Sequence, residues 1–358
     1  MKAENIHIEK LPKSEVEIKA EVPTSLIEDY FKKLWEHAAK NAEVPGFRKG
    51  TAPENVLKGH INETKILEEA ALEAIGEVYP PIILEHELKV ISRPHITITK
   101  LAKGNPVGFT ARVAVLPDVT MPDYKKIAGE YRDKKEVSVT DEELENVLLE
   151  VRRGRARQEM MEKSKEDGST PKMPDDKDLP ALDDSFVATI GPFKTVAEFK
   201  AKVTEDLKHH KEHQAIDKKR AEMIDALLAE TKVEIPDSLI EAELDRMLAQ
   251  FEGNIASQGL KLQDYLKRIG KTEADMRNEW KEEAEKRAQL QLLLNKIAVA
   301  EEIEPDQTRL DEERKKIMEQ YKEADPQSVQ TYLETVLTNE AVFNFLETGD
   351  SKKSLHSH

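Results

Sequence analysis

Four groups of residues in this 358-residue sequence have types and spacings that chemistry or recognition could use. His209 and His213 sit four apart, the separation at which two imidazoles on one helix face share a metal, with His210 beside them. No HExxH pattern, cysteine or third ligand accompanies them, so the spacing predicts a solvated helix face. Gly270-Lys271-Thr272 has the end of a phosphate-binding loop, but that motif needs a glycine at 265, where Tyr265 stands, and a preceding strand. The many paired carboxylates fall on charged helical faces rather than beside apolar cleft residues, which gives no reason to assign them acid–base roles. The fourth group is a loop, Val44-Pro45-Gly46-Phe47-Arg48-Lys49-Gly50-Thr51-Ala52-Pro53, and its chemistry is recognition. Pro45-Gly46 reads as a turn, Gly50 frees the backbone again, and Pro53 suits the first turn of a following helix. An aromatic beside a guanidinium fork and a point charge suits docking on a protein or ribonucleoprotein surface. The same spacing also fits a tight helix–helix connection whose Phe47 folds back into the core.

The elements around this loop predict an α+β unit. Ser14–Val22 alternates polar and apolar residues as a half-buried strand, and Ile6, Ile8 and Leu11 supply a partner. Ser25 with Glu28 reads as a capping box before a helix carrying Leu26, Ile27, Tyr30, Phe31, Leu34, Trp35, Ala38 and Ala39 on one stripe. Pro53 opens a second helix, and Ile66, Leu67, Ala70, Ala71, Ala74, Ile75 and Val78 mark a third, punctuated by Pro80-Pro81. Two more strands follow, one with Ile96 and Ile98, the other with Phe109, Ala111, Val113 and Val115. The small antiparallel sheet needs its strands to meet across the intervening helices, so the loop is expected at the far tip of a helical hairpin.

Beyond residue 120 a connector leads to Thr140 and Glu143, another capping box, and a helix with Leu144, Val147, Leu148 and Val151. Arg152, Arg153, Arg155 and Arg157 follow, balanced by Glu150, Glu159 and Glu162 at helical spacings, as on a solvated face. Lys163 to Pro180 has almost nothing to bury and reads as a flexible linker. The rest is helical: a long segment from Thr195, a break at Val233-Glu234-Ile235-Pro236-Asp237, a helix to Phe251, loosening at Gly253 and Gly259, a helix capped by Thr272, and two final segments with Gly349 ending the order.

Composition narrows the function. Charged residues make up 35% and apolar ones 38%, which favours elongated, surface-rich architecture. The formal charge of −16 is uneven, net −2 over residues 1–130 and −14 over the remainder. An acidic body repels RNA, so any nucleic-acid contact is expected to be local to a basic loop. Zero cysteines exclude disulfides and thiol catalysis. Without a run of about 18 apolar residues or a hydrophobic signal core at the start, the chain is expected to be soluble and cytoplasmic. No cofactor and no membrane partner are expected.

The run Gly46-Phe47-Arg48-Lys49-Gly50 with Pro53 resembles the ribosome-docking signature of trigger factors, the bacterial chaperones at the nascent-chain exit. The Ile235-Pro236 break resembles the opening of that family's projecting arm. The family usually has a second lysine where this chain has Thr51. The resemblance implies a ribosome-binding domain over 1–120, a connector and long helix over 121–162, a linker over 163–180, a helical client-binding domain over 181–349 and a disordered tail over 350–358. It implies docking beside the exit tunnel of the large ribosomal subunit through Phe47, Arg48 and Lys49 between Gly46 and Gly50. Contacts to nascent or unfolded polypeptides are implied on Met247, Phe251, Leu262, Tyr265, Met276, Trp280, Met318 and Tyr321. Trigger factors usually carry an FK506-binding-type prolyl isomerase where residues 163–180 stand, and these 18 residues hold no aromatic with which to line such a pocket. The expectation is an ATP-independent holding chaperone without isomerase activity, open to self-association. The alternative is a ribosome-independent helical scaffold or assembly factor gripping partner proteins.

Overall fold

A computed structural model describes residues 3–43, 45, 47–50, 52–132, 137–167 and 179–350. They fall into two compact units, Met1–Pro122 with Glu230–Val342 and Asp123–Ala229 with Phe343–His358. The fold is α+β, as the sequence pattern predicts. Strands β1 (Glu4–Leu11), β2 (Glu15–Val22), β3 (His95–Lys100) and β4 (Val107–Ala114) form an antiparallel sheet in the order β1-β2-β4-β3. Because side chains alternate along a strand, one face gathers Val16, Ile18, Ala20 and Val22 opposite Val113, Ala111, Phe109 and Val107. Helix α3 (Glu63–Glu85) lays Ala71, Ala74, Ile75, Val78 and Ile82 into that core, and α1 (Thr24–Asn41) adds Leu26 and Ile27. Truncating fully buried Ile75 to Ala would cost about 2–5 kcal/mol. Glu17 stands opposite Arg112 in the β2–β4 register and is itself buried. Its carboxylate accepts from Lys19 Nζ at 2.6 Å and Arg112 Nε at 2.9 Å.

Several boundaries depart from the sequence pattern. Pro80-Pro81 does not end its helix: α3 continues to Glu85. An interior proline costs about 3 kcal/mol. Buried Val78 and Ile82, each contributing about 1.5–3 kcal/mol, hold the last turns on the sheet. Ser25 and Glu28 are not the cap of α1. Pro23 occupies that position without a side-chain cap bond, and its carbonyl accepts from Leu26 and Ile27. Burial of those two residues draws the first turn forward, leaving Ser25 inside the helix. Gly253 does not loosen the chain, since α8 (Asp237–Ser257) runs through it; Gly259, at φ +75°, does turn after it.

In the same unit α10 (Glu273–Ala300) packs on α8 in two layers. Ile235, Ile240 and Leu244 meet Ala284, Ala288 and Leu292 in one, where the alanines allow close approach. Leu248 and Phe251 join Leu262 and Leu266 of α9 (Leu262–Ile269) with Met276 and Trp280 in the other. Helices α11 (Gln307–Gln320) and α12 (Pro326–Thr348) close on Leu310, Leu333 and Leu337. Gln291 and Asn339 exchange two amide hydrogen bonds at 2.8 and 3.2 Å between α10 and α12.

The second unit holds α4 (Tyr124–Glu130), α5 (Asp141–Asp167), α6 (Asp184–Ile190) and α7 (Val196–Glu230). Thr140 and Glu143 form the expected reciprocal cap at 2.8 and 3.3 Å. The core is Leu148, Phe186, Val187 and Phe199. Helix α5 extends through 163–167, the first residues of the expected linker, while 168–178 and the tail 351–358 lie outside the described residues. Leu179 is buried, and Arg152 Nε donates to the Pro180 carbonyl at 2.7 Å. Among the described residues no helix is long and apolar enough to cross a membrane.

Candidate docking loop and arm surface

The loop rises from the end of α1 and returns into α2 (Glu54–His60). At its first foot Asn41 Nδ2 donates to the His37 carbonyl at 3.1 Å. At its second, the Pro53 carbonyl accepts from the amides of Val56 and Leu57, each at 3.0 Å, and Leu57 is buried. Gly50 has φ +78°, and a Cβ there would stand 3.3 Å from the Lys40 carbonyl oxygen. Only glycine takes that conformation without strain while lying so close to the last turn of α1. Between these anchors Arg48 and Lys49 are exposed and Phe47 is 43% exposed, so the aromatic stands in solvent rather than in the core. Gly46 and Thr51 lie outside the described residues.

The eight residues expected on the arms divide among three places. Five meet on the α8–α9–α10 tip: Phe251 is the hub, its ring 5.4 Å from Trp280 and 5.6 Å from Tyr265 in edge-to-face contacts. Leu262 and Met276 are buried beneath it, while Phe251, Tyr265 and Trp280 remain partly exposed. Met247, also partly exposed, packs against the adjacent layer with Trp280. Met318 and Tyr321 lie apart from these at the end of α11, with Tyr321 59% exposed.

Elsewhere the geometry is structural. Gly270 is the left-handed C-cap of α9 and Thr272 starts the capping box of α10 with Asp275, so Gly270-Lys271-Thr272 joins two helices. His209, His210 and His213 are exposed on α7, with His210 Nε2 2.9 Å from Gln214 Nε2. Arg153 and Arg155 pair along α5 with Glu150 and Glu159. Among the described residues no three His, Cys, Asp or Glu are grouped to hold a metal.

Two features escaped sequence reasoning. The β1–β2 turn is joined to the start of α8 through Lys13, Ser14, Glu234 and Asp237, about 220 positions apart, and nothing local signals such a pair. The other is Leu72 on α3, half exposed although it falls among apolar residues; its acidic neighbours at helical spacing were the available sign.

A family model described as bacterial trigger factor protein matches residues 4–151, and one described as its C-terminus matches 195–348. Similar relatives include the trigger factor of Natranaerobius thermophilus, 27% identical over 87% of this chain and 86% of the relative. That of Clostridium acetobutylicum is also 27% identical, over 90% and 91%. The Clostridium botulinum strain Hall trigger factor is 25% identical over 96% of this chain. That alignment has 426 positions, more than the 358 residues here, so the relative carries residues without a counterpart in this chain. In fold the chain is similar to a solved trigger factor chaperone, with TM-score 0.51 and 16% identity, covering 97% of this chain and 100% of that one.

Proposed function

This chain belongs to the trigger factor family, and we propose that it is a ribosome-docked holding chaperone that works without nucleotide and without prolyl isomerisation. The observation that carries the docking reading is the loop tip: Phe47 stands in solvent beside two exposed cations, on a backbone pinned at Gly50 and Leu57. A preorganised tip loses little freedom on binding, so its contacts count more fully toward affinity. Phe47, Arg48 and Lys49, flanked by Gly46 and Gly50, dock on the large ribosomal subunit beside the exit tunnel.

In this reading residues 1–120 dock, 121–162 connect, and 181–349 hold clients in the cytoplasm. Phe251, Tyr265, Trp280, Met247, Met318 and Tyr321 offer adaptable apolar surface to nascent or unfolded chains, and Leu262 and Met276 support it from below. Burying a few hundred Å² at about 25 cal/mol per Å² gives several kcal/mol before ordering costs, which sets weak, reversible binding. Release follows when a client buries its own apolar surface. Absence of an isomerase domain is supported by the unmatched stretch between the two family regions and by the extra residues of the longer relatives.

Co-sedimentation with purified ribosomes tests the reading. Replacing Phe47, Arg48 and Lys49 together by Ala removes contacts of roughly 1.5–3 kcal/mol for each charged group and is expected to weaken binding at least about a hundredfold. Unchanged co-sedimentation of the folded triple variant would remove the loop as the docking element, and no co-sedimentation of the wild-type chain would leave the helical-scaffold alternative.

A further inference from the structure

Between α1 and α3 lies a groove of about 720 Å³ lined by Tyr30 and Leu34 on one side and Leu72, Gly76 and three glutamates on the other. Its floor is apolar: Leu72 is 51% exposed, Leu34 is partly exposed, and a Cβ on Gly76 would meet nothing within 4 Å. Its rim is acidic. Glu69, Glu73 and Glu77 recur every fourth residue and are all exposed, so they form a row about 12 Å long on α3. Glu77 Oε2 accepts from Tyr30 Oη at 2.8 Å, which ties the two walls together and holds the ring in place. Lys33 stands 5.1 Å from the centre of that ring.

An exposed leucine at the centre of a carboxylate row is neither core nor ordinary solvated helix. The apolar floor gives a partner area to bury, and the row chooses its charge. We propose that this groove binds a basic amphipathic polypeptide segment, an unfolded client stretch whose leucine-sized side chains enter between Leu34 and Leu72 while its lysines or arginines meet Glu69, Glu73 and Glu77. The inference rests on the holding role proposed above and adds to it a second client surface, selective by charge, on the unit that carries the docking loop. Nucleic acid is the wrong occupant, because three carboxylates repel a phosphate backbone. A client stretch of roughly ten residues that turns helical as it binds covers the row, with cations repeating every third or fourth position opposite the glutamates.

The test uses the full chain and two fluorescent peptides of one helical pattern, one of leucine and lysine, the other of leucine and glutamate, read by anisotropy at low and high salt. The leucine–lysine peptide is expected to bind and the leucine–glutamate peptide to bind at least tenfold more weakly. Glu69→Gln with Glu73→Gln is expected to weaken the first peptide about five- to tenfold and to flatten its salt dependence, since exposed pairs contribute modestly each. Leu72→Ser tests the floor independently and should weaken the same peptide with its salt dependence retained. Equal binding of both peptides, or unchanged binding by both variants, overturns the proposal, as does displacement of the peptide by a structured RNA. Ribosome co-sedimentation and aggregation suppression by the wild-type chain are measured alongside. Failure of those two with peptide selectivity intact removes the chaperone reading and leaves the groove.

Discussion

Lys13 donates to both carboxylate oxygens of Asp237, at 2.8 and 2.9 Å, from a turn whose residues Lys13 and Ser14 both lie at positive φ. The Lys13 amide reaches Glu234 Oε2 at 2.9 Å, and Ser14 Oγ reaches the Glu234 carbonyl at the same distance. The tip of the β1–β2 hairpin is thereby fastened to the Pro236 break that starts α8. Hydrogen bonding to Asp237, followed by its charge, holds the Lys13 ammonium above its ordinary pKa. A raised lysine contributes stability that is present below the unfolded value of about 10.4 and is lost as pH rises through the folded one.

The first prediction follows from that contact. Lys13→Met and Asp237→Asn should each lower the thermal midpoint slightly, with the double variant less affected than the sum. The coupling should shrink as salt is raised, because both side chains are more than half exposed. A strictly additive double-mutant cycle at low salt would remove Lys13–Asp237 as a fastening.

Gly50 supplies the second prediction. At φ +78° a side chain costs about 1–2 kcal/mol, and at 3.3 Å from the Lys40 carbonyl it also pushes on α1. Gly50→Ala should leave global helicity unchanged by circular dichroism yet weaken ribosome co-sedimentation about tenfold, with Phe47, Arg48 and Lys49 all intact. Full docking by this variant would mean that the loop is shaped by the ribosome rather than held in advance.

Much of the fold was legible because local patterns and tertiary demands coincide. The alternation of Val16, Ile18 and Ala20 matches their burial, and Thr140–Glu143 and Thr272 cap as their spacing predicts. Reading failed where packing outweighed local preference: α3 runs through Pro80-Pro81 because Ile82 is buried, and Gly253 stays helical between Leu248 and the buried Ile255. Helix α6 is too short to show a period; the Asp183 cap, which accepts from the Phe186 amide, and the burial of Phe186 and Val187 define it. Of the candidate sites, the docking loop was visible as a motif, whereas the arm residues could be placed on a helix face but not ranked by depth. That Leu262 lies under Phe251 depends on how α9 folds back on α8.

Glu17 gives a prediction in acid. The hydrogen bond from Lys19 and then that from Arg112 hold its carboxyl below the usual range. A depressed acid contributes stability above the unfolded value of about 4.3 and loses it as pH falls through the folded one. Urea midpoints of the wild type should therefore fall more steeply below about pH 4.5 than those of Glu17→Gln, and the two should differ most near neutrality. Parallel acid limbs would show that the pair carries no linkage.

Prolyl isomerisation is expected to be absent. In a protease-coupled assay with a proline peptide, the purified chain should give the uncatalysed rate. Catalysis that survives rigorous purification and is abolished by a point substitution in this chain would overturn that expectation.

The arm tip yields the last prediction. Phe251 holds two edge-to-face contacts, with Trp280 and Tyr265, worth about 0.5–1.5 kcal/mol each beyond the area they bury. Phe251→Leu keeps an apolar side chain but forfeits both ring contacts, so the tip should lose about 1–3 kcal/mol, about 0.5–1.5 of it from the Tyr265 contact that holds α9, while the Ile240–Ala284 layer stays packed. Hydrogen exchange should rise in α9 and not in the β-sheet. If the ordered tip is what clients meet, aggregation suppression of several unrelated unfolded proteins should drop with unchanged ribosome binding. Loosened α9 with full suppression would move the client surface away from this cluster, toward the exposed Tyr321 and Tyr332.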